Sequence, residues 1–222
     1  MSNSVLIIGA SGSGKSTSIR TLDESSTFII NVLGKPLPFR GYKNKYKAMS
    51  SWDDAEGNYY ASDDWTRIIK CIQVVDKNRP DIKVLVIDDL QYVLAGEFMR
   101  RVSEKGYDKY SELGNHFWQI INAVTTTRDD LVCVLLSHSE TDQMGRSKLK
   151  TIGKLLDEKV TIEGMFTTIL HSMVMDDGYK FLTQSDGTHI AKSPMGMFED
   201  KYIDNDLKFV CESIQQYFNE EE

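Results

Sequence analysis

The stretch Val5-Leu6-Ile7-Ile8-Gly9-Ala10-Ser11-Gly12-Ser13-Gly14-Lys15-Ser16-Thr17 decides the fold class. Four consecutive apolar residues predict a short strand, and the residues from about Lys15 to Leu22 predict a helix. Between them, Gly9 to Ser16 match G-x-x-x-x-G-K-[ST] in the strand-then-helix setting that phosphate binding requires. Glycines let successive backbone N–H groups turn toward one point, and the helix N-terminus adds positive potential there. Lys15 would place a point charge on the β- and γ-phosphates of a nucleotide. Ser16 would offer its hydroxyl to magnesium, and Thr17 would pack or help cap the helix. The expected nucleotide-binding set is Gly9, Ala10, Ser11, Gly12, Ser13, Gly14, Lys15, Ser16 and Thr17, with ATP and Mg2+ as cofactors.

Further along lies Val84-Leu85-Val86-Ile87-Asp88-Asp89. Lys83 to Ile87 is a continuous apolar run, the pattern of a strand buried on both faces. An acid at the end of such a strand is costly unless a cation compensates it, so Asp88 is expected to face the magnesium ion. Asp89 would either polarise the attacking water or cap the helix that starts at Leu90. A third buried strand, Leu131 to Leu136, runs into Ser137-His138-Ser139-Glu140. With one additional strand (Thr27 to Val32) between the two motif strands, this third strand should lie between them in the sheet, its end at the γ-phosphate. His138 or Ser137 would then sense that phosphate, and Glu140 rivals Asp89 for activation of water. The catalytic candidates are Lys15, Asp88, Asp89, Glu140 and His138; the metal candidates are Ser16 and Asp88.

The remaining pattern fits this frame. Asp63 reads as the N-cap of a helix with Trp65, Ile68, Ile69, Ile72 and Val75 on one stripe. Helices are expected at about 90–104 and 109–127. Strands alternating with helices imply an α/β fold with a mostly parallel central sheet flanked by helices. Phe166 to Val174 and Tyr179 to Thr183 predict a C-terminal β-hairpin turning at Asp176-Asp177-Gly178. Thr188 to Ala191 predicts an edge strand, and Asp206 to Phe218 a closing helix. With no repeat and no linker, 1–222 reads as one domain, with a core at 1–143 and the basic loop, hairpin and closing helix at 144–222.

The charge balance, 26 basic against 33 acidic residues for a net −7, argues against general coating of nucleic acid but leaves room for local basic surfaces. No apolar run approaches the length of a membrane span. Cys71, Cys133 and Cys211 read as isolated reduced thiols of a cytosolic protein. From Thr27 to Trp52 the charged residues are Lys35, Arg40, Lys43, Lys45 and Lys47, interleaved with Phe39, Tyr42, Tyr46 and Trp52. That mixture suits single-stranded nucleic acid, or equally a solvated loop whose rings pack on the body. Arg100, Arg101, Lys105 and Lys109 follow the second motif. Arg146, Lys148, Lys150 and Lys154 follow the third, between Gly145 and Gly153. Such a loop could move with nucleotide state or be merely solvated. The acidic tail Glu220–Glu222 would compete with a polyanion or simply aid solubility.

The strings GASGSGKST, KPLPFRGY, VLVIDD, KGYDKYSELG, LLSHSE, KTIGKLLDEKV and AKSPMGMF together resemble a bacteriophage RecA-like P-loop ATP-binding protein, related to the phage single-strand annealing recombinases. The resemblance spans nearly the whole chain. It implies a RecA-like core, ATP hydrolysis, a cytoplasmic location in the infected bacterium and action on single-stranded DNA in recombination or replication. It also implies a homo-oligomer, ring or filament, and a phage single-strand-binding or replication protein as partner. The DNA-contacting loops would lie near 95–110 and 141–154, with Arg100, Arg101, Lys105, Arg146, Lys148, Lys150 and Lys154. Lys192 would be the cation that reaches a neighbouring subunit's phosphate. Two departures stand out. The end of the second strand, Asn31-Val32-Leu33, lacks RecA's catalytic glutamate, and the chain starts at the first strand, without RecA's polymerising segment. The alternatives are an ATPase acting on a protein partner, such as a helicase loader or assembly factor, and a nucleotide kinase, against which the missing arginine-rich lid argues.

Overall fold

The computed structural model describes residues 3–153 and 155–219. Lys154 and the Glu220–Glu222 tail lie outside the described residues.

The N-terminal apolar run forms β1 (Asn3–Gly9). Then come β2 (Thr27–Asn31), the short helix α1 (Tyr42–Lys45), β3 (Tyr59–Ala61), α2 (Trp65–Asn78) and β4 (Val84–Asp88). The chain continues through α3 (Gln91–Arg100), α4 (Asp108–Thr125), β5 (Val132–Thr141) and β6 (Ser147–Leu149). It closes with β7 (Thr168–Met175), β8 (Gly178–Leu182), β9 (Tyr202–Asp204) and α5 (Leu207–Asn219). Sheet order is β3-β2-β4-β5-β1-β7-β8-β9, with β6 paired to β5 off this path. From β3 to β7 every pairing is parallel; β7–β8 and β8–β9 are antiparallel. The fold is thus α/β with a mostly parallel sheet. As expected, β5 lies between β1 and β4, and the C-terminal hairpin forms.

Strand alternation explains why the central strands read as unbroken apolar runs. Leu6, Ile8, Leu85, Ile87, Cys133 and Leu135 face a core shared with α2, α3 and α4. Val5, Ile7, Val84, Val86, Val134 and Leu136 face a second core closed by α5 and the helical turn after β1. A strand covered on both faces has no polar face to show. All three cysteines are free and buried in these cores.

Several boundaries differ from expectation. The helix after the glycine loop is a six-residue 3-10 helix, Ser16–Thr21. Its hydroxyls explain the tighter winding, since Ser18 Oγ donates to Lys15 O at 2.5 Å and Thr21 Oγ1 to Ser18 O at 2.9 Å. Such side-chain bonds compete with the α-helical ladder. The N-cap of α2 is Asp64, not Asp63: Asp64 accepts from the backbone N–H groups of Thr66 and Arg67. Asp63 is instead ion-paired with Arg100. Residues 188–191 form no strand. The Asp186 carboxylate takes the N–H groups of Thr188 and His189 and holds them in a turn. The segment meets β7 through the His189 ring, 4.6 Å from that of His171, and through an antiparallel bridge of Lys192 to Ile169. The strands β3, β6 and β9, three residues each, are too short to show periodicity.

Candidate nucleotide site

Every strand of the parallel set points its C-terminal end the same way, and the candidate residues collect there. Gly9 ends β1 beside His138 of β5. Asn31 ends β2 beside Asp88 of β4. A pocket of about 270 Å³ at this edge is lined by Ser11, Gly12, Gly14, Lys15, Ser16, Thr17, Lys35, Pro36, Pro38, Asp89, His138 and Tyr179. A larger cleft of about 500 Å³ lies against β3 with Met49, Trp52, Tyr60, Arg67 and Lys70. Its size does not make it the site, because the catalytic candidates converge on the smaller pocket.

Two close approaches shape the loop. A Cβ on Gly9 would sit 2.5 Å from Ser172 O of β7, and one on Gly14 (φ 97°) would sit 2.6 Å from the Tyr179 ring. Ser172 Oγ also donates to Ser13 O at 2.7 Å. The C-terminal hairpin therefore buttresses the loop. The other side is tied to the chain's end, as Asn205 Nδ2 donates to Gly14 O and Arg20 donates to Asn205 Oδ1.

Lys15 is buried and donates to Gly9 O and Ala10 O, both at 2.8 Å, across the mouth of the phosphate cradle. Burial lowers its ammonium to about 8 against the raising pull of Asp89 and Asp88. Ser16 Oγ donates to Asp88 Oδ1 at 2.7 Å. Burial, then the charge of Asp89, raises the Asp88 carboxyl to about 6. Asp88 Oδ2 is buried without a hydrogen-bond partner. An orphaned carboxylate oxygen beside a serine hydroxyl is the donor set that a hard divalent cation takes.

Asp89 does not cap α3. The N-cap position falls on Leu90, with no side-chain cap bond. Asp89 has φ 63°, the only positive value among the described non-glycine residues. Strain of this kind concentrates at functional positions. The conformation turns the carboxylate into the pocket, where it meets Lys35 and, at 3.4 Å, His138 Nε2. Burial works to raise this carboxyl, but the contacts with His138 and Lys35 outweigh it, and the net direction is down. The His138 ring stands edge-on to Tyr92, with centroids 5.9 Å apart. Ser137 is buried in β5 with its Oγ unpartnered.

Glu140 stands outside this cluster, on the β5–β6 hairpin, ion-paired with Lys148 at 3.0 Å. Among the cations proposed for DNA, Arg101 binds Glu97, Glu104 and Glu112, while Arg146 binds Asp142. Lys109 is buried over the rings of Phe98 and Tyr110. Lys105, Lys150 and Lys192 are exposed. In the basic segment, Tyr46 is buried, Phe39 and Tyr42 pack on the second core, and Trp52 packs on the first. These rings pack on the body instead of standing free. Sequence reasoning missed Lys35 as a pocket residue because it grouped that lysine with the surface charges. Tyr179 gave no signal, since its contact with Gly14 spans most of the chain.

The sequence profile of the AAA domain family (AAA_24) matches residues 1–195. The chain belongs to this family. The AAA domain here is a P-loop NTPase domain with mixed α/β architecture. No curated protein matches the sequence. Among solved structures, the AAA domain is similar to the genome packaging NTPase B204 from Sulfolobus turreted icosahedral virus 2 in complex with ATP-gammaS. That likeness has a TM-score of 0.42 and 14% identity, covering 79% of this chain and 76% of that chain. Among the described residues, no helix is long and apolar enough to cross a membrane.

Proposed function

We propose that this AAA domain hydrolyses ATP with magnesium and couples the cycle to single-stranded DNA in phage recombination or replication. One observation carries the ATPase reading: Lys15, Ser16, Asp88 and Asp89 meet at one edge of the sheet, with Asp88 Oδ2 unpartnered. Magnesium, when bound at Ser16 and Asp88, neutralises charge on the phosphate oxygens. Lys15 leaves the Gly9 and Ala10 carbonyls for the phosphates. Asp89 orients the attacking water and accepts its proton, and His138 reports the terminal phosphate. Glu140 remains the second candidate for the water.

Support for coupling to DNA comes from the hairpin that continues β5. Lys150 N–H donates to His138 O at 2.9 Å, so a shift of His138 is passed directly to the exposed Lys150. Assembly of copies into a ring or filament would let Lys192 reach a neighbour's phosphate. The second reading, an ATPase acting on a protein partner such as a helicase loader, is favoured by the ion pairs that neutralise Arg100, Arg101, Arg146 and Lys148.

The deciding experiment is ATP hydrolysis with and without single-stranded DNA, at low and moderate salt, for wild type and Lys15→Ala. Stimulation by single strands that is absent in the variant supports the DNA reading. Hydrolysis indifferent to DNA moves the proposal to a protein partner. Normal turnover by Lys15→Ala would overturn the assignment of the site.

A further inference from the structure

Lys35 lines the same pocket as Lys15, Ser16, Asp89 and His138. It stands on the loop after β2, and that loop is pinned at its root. Asn31, fully buried beside Asp88 in the sheet, donates through Nδ2 to Lys35 O at 2.8 Å. The side chain then reaches the pocket it shares with Lys15, Ser16 and His138, where its ammonium is ion-paired with Asp89. The partners differ in freedom. The Asp89 side chain is 2% exposed, whereas that of Lys35 is 44% exposed. Asp89 is fixed by the strand end and its backbone conformation. Lys35 is anchored at its base and wet at its tip.

A carboxylate whose lone pairs face an ammonium and an imidazole is a poor proton acceptor. The pocket balances two ammoniums, Lys15 and Lys35, against two carboxylates, Asp88 and Asp89. A triphosphate adds several negative charges, and the cation with free reach is the one able to redistribute. We propose that Lys35 is a cation for the terminal phosphate supplied from within the subunit, latched on Asp89 until that phosphate arrives. This role rests on the ATPase reading and deepens it.

One ion pair is exchanged: Lys35–Asp89 opens and Lys35–phosphate forms. Asp89 keeps His138 and gains a free lone pair for water. In the hydrolysis that follows, the water oxygen bonds to the terminal phosphorus. The bond from that phosphorus to the bridging oxygen breaks, its electron pair leaving on ADP, and the water proton passes to Asp89. Lys35 offsets the charge on the transferring phosphoryl oxygens. ADP has no phosphate at that position, so in the ADP state the latch stays shut. The pocket thereby tells triphosphate from diphosphate through one side chain.

The test measures affinities for ATPγS and ADP, each with magnesium, by competition against a fluorescent nucleotide. The full chain is used as wild type, Lys35→Ala, Lys35→Met and Lys35→Arg, with a thermal melt to confirm folding. Lys35→Ala and Lys35→Met are expected to weaken ATPγS by about tenfold or more while ADP stays within about twofold. Their kcat for ATP should fall on the order of 10²-fold, with partial recovery in Lys35→Arg. Equal weakening of both nucleotides in folded variants, or unchanged ATPγS affinity, overturns the proposal. If Lys35→Ala fails to fold, Lys35→Met, which keeps the aliphatic stem, decides. A wild-type chain that binds neither nucleotide would instead overturn the ATPase reading itself, which ADP binding without discrimination at Lys35 would leave standing.

Discussion

At the scale of single residues, the site is defined by charges that the fold buries and leaves incompletely matched. Asp88 is the sharpest case. Its folded carboxyl is raised to about 6 from an ordinary 3.8, so ionising it works against the metal-free fold. With a folded value above the unfolded one, the favourable contribution is complete below about pH 4 and is lost as pH rises through about 6. Asp88→Asn keeps an acceptor for Ser16 and removes the ionisation. Metal-free Asp88→Asn should therefore unfold with wild-type stability near pH 4 and be more stable by roughly 3 kcal/mol at pH 8. Magnesium and ATP should reverse the ranking by stabilising wild type alone. Denaturant titrations at the two pH values check both statements. The metal-free arm fails if the variant is the less stable at pH 8. Asp89 calls for a different replacement: asparagine tolerates positive φ, so Asp89→Asn should fold normally while losing hydrolysis.

Elements set how those residues meet. The glycine loop is squeezed between the β7–β8 hairpin and the segment before α5. A methyl group on Gly9 would press on the Ser13 hydroxyl and on the backbone carbonyl of Ser172, and the carbonyl cannot swing aside. Gly9→Ala should destabilise the protein by about 2–4 kcal/mol and lower nucleotide affinity together, read by urea unfolding and nucleotide titration. A loss under 0.5 kcal/mol would show that β7 yields easily. At the other end, α5 has its first N–H groups, Leu207 and Lys208, bonded to Thr21 Oγ1 of the nucleotide helix. How legible this was in the sequence depends on range. The loop, the Asp88 strand and the His138 strand show their own local signatures, and their order in the sheet follows from counting strands. Contacts such as Tyr179 on Gly14, or Lys35 on Asp89, join segments far apart and carry no local pattern. The α2 cap was read one residue early because two aspartates are adjacent; the bonds from Thr66 and Arg67 N–H to Asp64, and the ion pair of Asp63 with Arg100, separate them.

The whole molecule carries a net charge of −7, and its proposed DNA surface must be judged within that field. Lys148 faces Glu140 across the hairpin, whereas Lys150 is exposed with no ion pair among the described residues. If single-stranded DNA lies on the hairpin, Lys150→Ala should reduce the slope of log affinity against log salt by about 0.7, the worth of one phosphate contact. Lys148→Ala should change it less, because that charge is already compensated. Anisotropy of a labelled oligonucleotide across a salt series measures both; equal slopes in wild type and Lys150→Ala would remove the hairpin from the DNA surface. Grouping all basic residues of 141–154 as one surface was a natural sequence reading, since a sequence shows charges and not their partners.

The sheet order also has a consequence in time. β1 is made before the other strands described, but its neighbours are β5 and β7, which begin at Val132 and Thr168. During synthesis at about 5–20 residues per second, the apolar run Val5–Ile8 waits on the order of ten seconds or more for both edges to be paired. Over that interval the glycine loop lacks the wall that Ser172 gives it. The proposed ATP site is thus incomplete until β7 emerges, and for as long as it waits the chain is a client for any chaperone that recognises an unpaired apolar strand.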